Sequence, residues 1–427
     1  MMFDTGNTSF MLVASALVLL MTPGLALFYG GLVGKKNVIT IMMQSFVSMA
    51  LTTMLWFVVG YTMCFSGDYT SGTDIGGIIG NFNLAFLHGI TPMTASPVNP
   101  TIPITAFIAY QLMSAIITPA LITGAFANRV RFSAYLIFLV VWMLFVYFPF
   151  IHMVWGGGIM AAWGVKDFGG GIVVHNVAGF AALGSVLYIG KRKARDAGMH
   201  NLPLFALGTG LLWFGWFGFN AGAEFSANGI SSQAFINTQV SASFAAMTWL
   251  FISWWLEKKP KMVGFLTGVL AGLVTITPAA GFVSTKAAVA IGVLSGIICY
   301  FAIALKNKFK WDDALDVWGI HGIGGFTGII LLGVFGWTAI NEVGSNGLFH
   351  GGSSFFGLQV LAVAISSAYS LVITYILLLV INLFTPVAVT KEVEERGLDF
   401  ELHGEDAYLE EEPAIAPIGG KKKISVN

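Results

Sequence analysis

Charge is scarce in this chain. Asp, Glu, Lys and Arg make up 10% of its 427 residues, while hydrophobic residues make up 56%. A water-soluble fold of this length needs a charged surface around its core, so the composition excludes one and calls for lipid as solvent. The mean hydropathy of +0.81 points the same way. Acidic and basic residues balance at 21 each, which argues against a nucleic-acid binder. Cysteine is nearly missing: Cys64 and Cys299 are the two. In the topology derived below they fall toward opposite faces of the membrane, which argues against a disulfide between them. No basic residue precedes the first apolar stretch, and Lys35 and Lys36 follow it; the pattern is that of a retained span rather than a secretory leader. A nucleophile–base pair, a phosphate loop and a metal-ligand cluster are also missing, so an enzyme is not expected.

Apolar sequence in membrane-length blocks is what the chain has in abundance. One crossing takes about 20 helical residues. Eleven blocks qualify, at 8–31, 37–64, 102–126, 133–151, 168–190, 202–221, 234–256, 262–280, 286–305, 314–336 and 356–384. With the N-terminus outside, every Lys and Arg except Lys166 and Lys286 falls inside. The inner set includes Lys35, Lys36, Arg129, Arg131, the run KRKAR from Lys191, and the clusters EKKPK and KNKFK. Positive charge collects on the cytoplasmic side, so the N-terminus is expected outside and the C-terminus in the cytoplasm.

Eleven spans divide into five, five and one, and a block of five inverts when repeated. Inverted repeats place a solute pathway between the halves. His175 in the fifth block opens HNVAGF and His321 in the tenth opens HGIGGF, so both fit His-x-x-x-Gly-Phe, each in the last helix of its block. The expected fold is an all-α membrane protein of eleven transmembrane helices, a 5+5 inverted repeat (about 8–190 and 202–336) plus a final span. Its transmembrane domain covers 1–385 and its cytoplasmic tail 386–427.

A titratable group inside a membrane is costly and marks function by default. His175 and His321 allow four readings: hydrogen bonds to neighbouring helices, axial ligation of a haem, a metal site, or a pore in which two imidazoles meet a small polar solute. No third ligand recurs near either histidine, which weighs against a metal. The other histidines (His88, His152, His200, His350 and His403) lie near block ends or outside them, which weighs against a multi-haem bundle. The pore is the preferred reading, with no cofactor.

Asp167 precedes His175 by eight residues, about 12 Å of helix, too far for direct contact. At the outer start of the fifth span it suits an N-cap or a role toward the solute. Gly169, Gly170 and Gly171 follow it and allow close helix approach. Trp155 in HMVWGGG, and Trp216 and Phe219 in WFGWFGFNAG, stand near outer span ends. Such rings are either interfacial belt residues or faces that attract a small cation.

Taken together, PGLALFYGGL (23–32), KNV (36–38), ANRVRFSA (127–134), HMVWGGG (152–158), DFGGGIVVH (167–175), GWFGFNAG (215–222), DVWGIHG (316–322) and ERGLDFELHGEDAY (395–408) resemble the ammonium transporter family, the Amt/MEP/Rh group, in family order from residue 8 to 408. The tail motif resembles the Amt branch. The resemblance implies eleven spans, a homotrimer and one pore per subunit. It implies Trp155 as the outer recruitment aromatic, Asp167 as its acidic support and Phe219 as one of the stacked gate phenyls. Trp216 would line the pore, with His175 and His321 as twin pore histidines. Two site positions depart from the pattern: Ser114 stands where an outer gate phenylalanine is usual, and Ala223 where a recruitment-site serine is usual. Phe107 or Tyr110 would compensate for the missing ring. Gly169 stands where Ala or Ser is more common.

The implied function is ammonium uptake across the cell inner (plasma) membrane. Ammonium is recruited at an outer aromatic site and deprotonated, and ammonia passes the histidines with a proton relay. A passive ammonia or carbon dioxide channel and an ammonium sensor are the alternatives. The segment KEVEERGLDFELHGEDAYLEEE carries ten of the 21 carboxylates. It reads either as a solvated disordered tail or, by the resemblance, as an ordered inner segment meeting neighbouring subunits and a PII-type regulator. EEEPAIAPIGGKKKISVN reads as flexible.

Overall fold

In lipid a backbone must satisfy its own polar groups, so a chain this apolar is expected to span as helices. A computed structural model describes residues 3–67, 72–194 and 198–408. Among them, ten helices are long and apolar enough to cross a membrane: α1 (Thr5–Leu32), α2 (Lys35–Phe65), α3 (Ile104–Ile122), α4 (Phe132–Trp163), α5 (Gly171–Ile189), α6 (Leu202–Gly222), α7 (Gly229–Glu257), α9 (Thr285–Phe309), α10 (Trp318–Phe335) and α11 (Ser353–Phe384). Between α7 and α9 lies a shorter apolar helix, α8 (Met262–Ile276).

The eleven expected blocks map one to one onto these helices, with different ends. The fourth runs well past residue 151, because the helix continues to Trp155 and resumes at Ile159–Trp163 after a turn of three glycines. Trp155 therefore ends a helix inside α4 rather than standing just beyond a span. The eighth stops at Ile276, since the turn that follows contains Pro278, which cannot continue a helix.

Equivalent helices of the two proposed repeats pack on one another. The first of each, α1 and α6, run together closely enough that a β-carbon on Gly208 would stand 2.3 Å from the Phe28 amide nitrogen. The last of each, α5 and α10, also meet, and α11 packs along both. Side chains such as Val13, Phe214, Phe251, Trp255 and Leu383 stay exposed around the bundle, as lipid-facing residues do. Both cysteines are buried and free.

The two ends differ. At one, the N-terminal turn meets the long 66–103 connection through Asp4 N to Thr101 O, 2.8 Å, and Asn7 meets Ser226, 3.1 Å. At the other, basic end, the tail folds back as α12 (Lys391–Arg396) and α13 (Leu398–His403). Asp399 accepts from the Ile39 and Thr40 amides at 3.0 and 2.8 Å, capping the start of α2. Glu394 accepts from Lys193 N, 2.7 Å. Residues 387 and 389 exchange backbone bonds with Arg131 and Arg129. The disordered-tail reading thus fails for 386–408, because these acidic groups bind amides of the core; EEEPAIAPIGGKKKISVN (410–427) lies outside the described residues.

Beneath the tail, Arg129 is buried and donates to Gly190 O at 2.6 Å and Asp312 O at 2.7 Å. The Asp312 carboxylate takes Arg192 Nη2 at 2.6 Å and the Arg192 amide at 2.7 Å. Burial pushes the Asp312 carboxyl up, but the Arg192 bonds and the Arg129 charge outweigh it and hold the group below the usual carboxylate range.

Candidate functional site

His175 sits in the wide π-helical turn Gly171–Asn176 that opens α5, and His321 in the matching turn Trp318–Gly322 that opens α10. Such turns are uncommon and concentrate at functional sites. Each is started by a buried aspartate. The Asp167 carboxylate accepts from Gly170, Gly171, Ile172 and Val173 amides at 2.9, 2.7, 2.7 and 3.4 Å. Asp313 accepts from Val317 and Trp318 amides at 3.1 and 2.8 Å. Asp313 precedes His321 by eight residues, as Asp167 precedes His175. The sequence reading passed over Asp313, although that equal spacing was its signal. Burial pushes the Asp313 carboxyl up to about 6, against the lowering by Lys306 and the two amides.

The shared glycine of His-x-x-x-Gly-Phe also has a structural reason. A β-carbon on Gly179 would fall 1.9 Å from Gly322 N, and one on Gly325 would fall 2.8 Å from Asn176 N. Each glycine lets the partner helix's histidine turn approach. The Nδ1 atoms of His175 and His321 end 3.2 Å apart, with ring centroids at 5.3 Å and planes 29° apart. Both rings are buried. Two imidazoles this close leave no space for a porphyrin between them, so the axial-haem reading is excluded by geometry. Among the described residues, no three His, Cys, Asp or Glu side chains come together as a metal site.

The rest of the site is held from several sides. Trp216 stacks on His175 at 5.3 Å and 18°, and its Nε1 donates to Thr277 Oγ1 at 2.9 Å. Asn176 is tied to Ser366 and Ser367 of α11 at 2.8 and 3.0 Å, which fixes the backbone beside His175. Trp155 is half-buried and donates its Nε1 to Asp167 O at 2.7 Å. A side chain at Gly169 would meet Asn220 Oδ1 at 2.9 Å.

Three cavities share these residues. One of about 470 Å³ at the N-terminal end is lined by Phe107, Ser114, Trp155, Asp167, Ala223 and Glu224, among others. One of about 750 Å³ opens at the basic end and reaches Tyr29, Val317 and His321. A third, a constriction of only about 10 Å³, is lined by Leu25, Val174, His175, Trp216, Phe219 and His321, the last of which also borders the 750 Å³ cavity. Of the expected site residues, Trp155, Asp167, Ser114 and Ala223 thus border the first cavity, and His175, Trp216, Phe219 and His321 the constriction.

For Trp216 and Phe219 one of the two readings, the interfacial belt, falls away. Trp216 and Phe219 are 2% and 1% exposed and face His175, so neither is an interfacial belt residue. Phe219 has no phenyl partner at position 114, and its nearest rings are Trp216 at 5.8 Å and His175 at 6.0 Å. Phe107 and Tyr110 do border the first cavity, and the Tyr110 hydroxyl donates to Phe219 O. Asp167 uses both carboxylate oxygens on amides, which is the N-cap role.

A bundle of membrane-length apolar helices with a histidine-lined constriction in its core defines a multi-pass membrane protein. The chain belongs to the ammonium transporter family: the model of the Ammonium Transporter Family matches residues 9–408. An ammonium transporter of Bacillus subtilis is 44% identical over 405 residues, covering 94% of this chain and 98% of its own. Among solved structures, Saccharomyces cerevisiae Mep2 superposes with a TM-score of 0.84 at 32% identity, covering 91% of this chain and 88% of its own. A protein described as a sensor Amt protein superposes at 0.83 and 27% identity, covering 93% and 98%. Membership makes this a membrane transport protein.

Proposed function

We propose that this protein takes up ammonium across the plasma membrane by separating the ion into ammonia and a proton. The observation that carries the reading is the pair of hydrogen-bonded imidazoles at a narrow cavity that shares His321 with the wide cavity of the basic end. Ammonium enters the outer cavity, where the Trp155 face offers cation–π attraction and Asp167 holds the indole in place through its carbonyl. Beyond lies a passage with apolar walls, where a bare cation is costly and the neutral form of a titratable one is favoured. Potassium has no neutral form and stops there. Ammonium gives up its proton near Trp155 and Phe219, and ammonia passes His175 and His321. Imidazole both donates and accepts, so the pair relays the proton and transport is electrogenic.

In this reading the chain crosses the membrane eleven times, with its N-terminus outside and residues 1–385 as the transmembrane domain. The tail from 386 lies in the cytoplasm. The protein assembles as a homotrimer, and the folded tail offers a surface to a PII-type regulator.

The test is solid-supported-membrane electrophysiology on purified protein in liposomes, with ammonium and potassium pulses. An ammonium-specific transient current is the expected outcome. Flux of ammonia reported by an internal pH dye, without current, would replace this reading by a passive gas channel, which Ser114 and Ala223 favour by loosening the outer site. The likeness to a sensor Amt protein favours a third role, ammonium sensing, and neither current nor flux would direct attention to it.

A further inference from the structure

The outer cavity poses a problem of charge. Asp167 borders it, yet both its oxygens are taken by amides. Position 223 carries a methyl group and position 114 a short hydroxyl side chain, where the family pattern has a hydroxyl and a ring. One residue past Ala223, Glu224 lines the same cavity. Its Oε1 accepts from Asn228 Nδ2 at 2.9 Å, and among the described residues no Lys, Arg or His pairs with it. Its place is set by a locked turn. Phe225 adopts φ 55, uncommon for a residue with a side chain. Asn99 Nδ2 binds the Phe225 carbonyl at 2.8 Å, and the Phe225 ring packs on Phe107 and Tyr110 at 5.2 and 5.4 Å. The Gln111 side chain lines the same cavity. Gln111 is 4% exposed, and its side-chain Oε1 is buried with no hydrogen-bond donor. A buried amide oxygen left without a donor is uncommon and calls for a partner.

We propose that Glu224 and Gln111 form a monovalent-cation site in the outer cavity, the carboxylate supplying charge and the amide oxygen an acceptor that Ala223 and Ser114 do not. The site rests on the ammonium reading above and extends it. Glu224 attracts the ion at the mouth. Gln111, in α3 three residues before Ser114, accepts a hydrogen bond from it in place of the water it sheds. This chain therefore recruits its ion by charge and an amide oxygen, where the family pattern uses a hydroxyl and stacked rings.

Glu224→Gln keeps an oxygen for Asn228 and removes the charge, so the turn is expected to survive. In the liposome current assay, Glu224→Gln should raise the half-saturating ammonium concentration about fivefold or more, the scale of one partly screened charge pair, with the maximal current within about twofold of the parent's. Gln111→Leu should raise it also, and Ala223→Ser in the Glu224→Gln background should recover part of the loss. A parent that gives ammonium current and a Glu224→Gln variant with unchanged half-saturation would overturn the proposal. A measurement independent of transport uses thallous ion, close to ammonium in size, in crystals of the full chain. Anomalous density beside Glu224 in the parent and none in Glu224→Gln is the expected result. No density there, or density indifferent to the substitution, would overturn the site even if transport is seen. Density without any current would uphold the site and sink the transport reading instead.

Discussion

Gly179 of α5 meets Gly322 of α10 so closely that a β-carbon on Gly179 would stand 1.9 Å from the Gly322 amide nitrogen. That crossing brings the two histidine turns together, so the 3.2 Å separation of His175 and His321 depends on the absence of two side chains elsewhere.

Gly179→Ala is accordingly expected to push the helices apart. The obstacle is backbone, which cannot rotate away, so the destabilisation should reach the upper end of the ~1–3 kcal/mol typical of overpacking. Thermal unfolding in detergent would check it. An unchanged midpoint would mean that α5 and α10 do not cross at these glycines.

His175→Leu and His321→Leu each remove one member of the imidazole pair while keeping an apolar side chain in the constriction. The relay predicts that ammonium current falls by about tenfold or more, the scale of losing a positioned proton-transfer group, or that selectivity against potassium is lost. Current and selectivity that both survive either substitution would rule out the relay.

Asp167→Asn leaves one side-chain oxygen for four amides that the carboxylate now serves with two. Loss of a cap costs about 0.5–2 kcal/mol, and buried unsatisfied amides add to it. We expect a lower unfolding temperature together with weaker ammonium current, because the same residue's carbonyl holds the Trp155 indole. Asp313→Asn keeps one oxygen and gives up one of two such bonds, so it should lower the unfolding temperature less.

The basic end should loosen in acid, and the sign follows from Asp312. Its carboxyl is held below the usual range chiefly by Arg192 and Arg129, against the opposing effect of burial. It therefore contributes stability that is present above the unfolded carboxyl value of about 4 and is lost as pH falls through its lower folded value. Asp313 acts in the opposite sense. With its carboxyl pushed up to about 6, the folded state takes up a proton first and gains stability between about 6 and 4. Hydrogen exchange in 385–408, followed from pH 7 to pH 3, should show protection kept to near pH 4 and lost below it. Loss already at pH 6 would contradict the Asp312 assignment.

Hydropathy located the long apolar helices seen among the described residues, because lipid enforces long helical blocks that a window of residues detects. The paired His-x-x-x-Gly-Phe pattern was legible for a related reason: each glycine serves the crossing that the histidine needs. Asp313 was equally legible by spacing but was overlooked, since a carboxylate among KNKFKWDDALD looks like one more charge in a loop. Glu224 offered no pattern, as its significance lies in a cavity whose walls come from widely separated segments.

Composition and periodicity by themselves determined a multi-pass helical protein with two titratable rings in its apolar core. Which atoms those rings present to each other was decided only in three dimensions. So were the two-oxygen, four-amide use of Asp167 and the folding of the acidic tail onto Arg129, Lys193 and Thr40. The physical reason is range. Burial of a helix face depends on residues three and four apart, whereas a constriction of about 10 Å³ is made by side chains of six helices whose separation in sequence carries no record of their meeting.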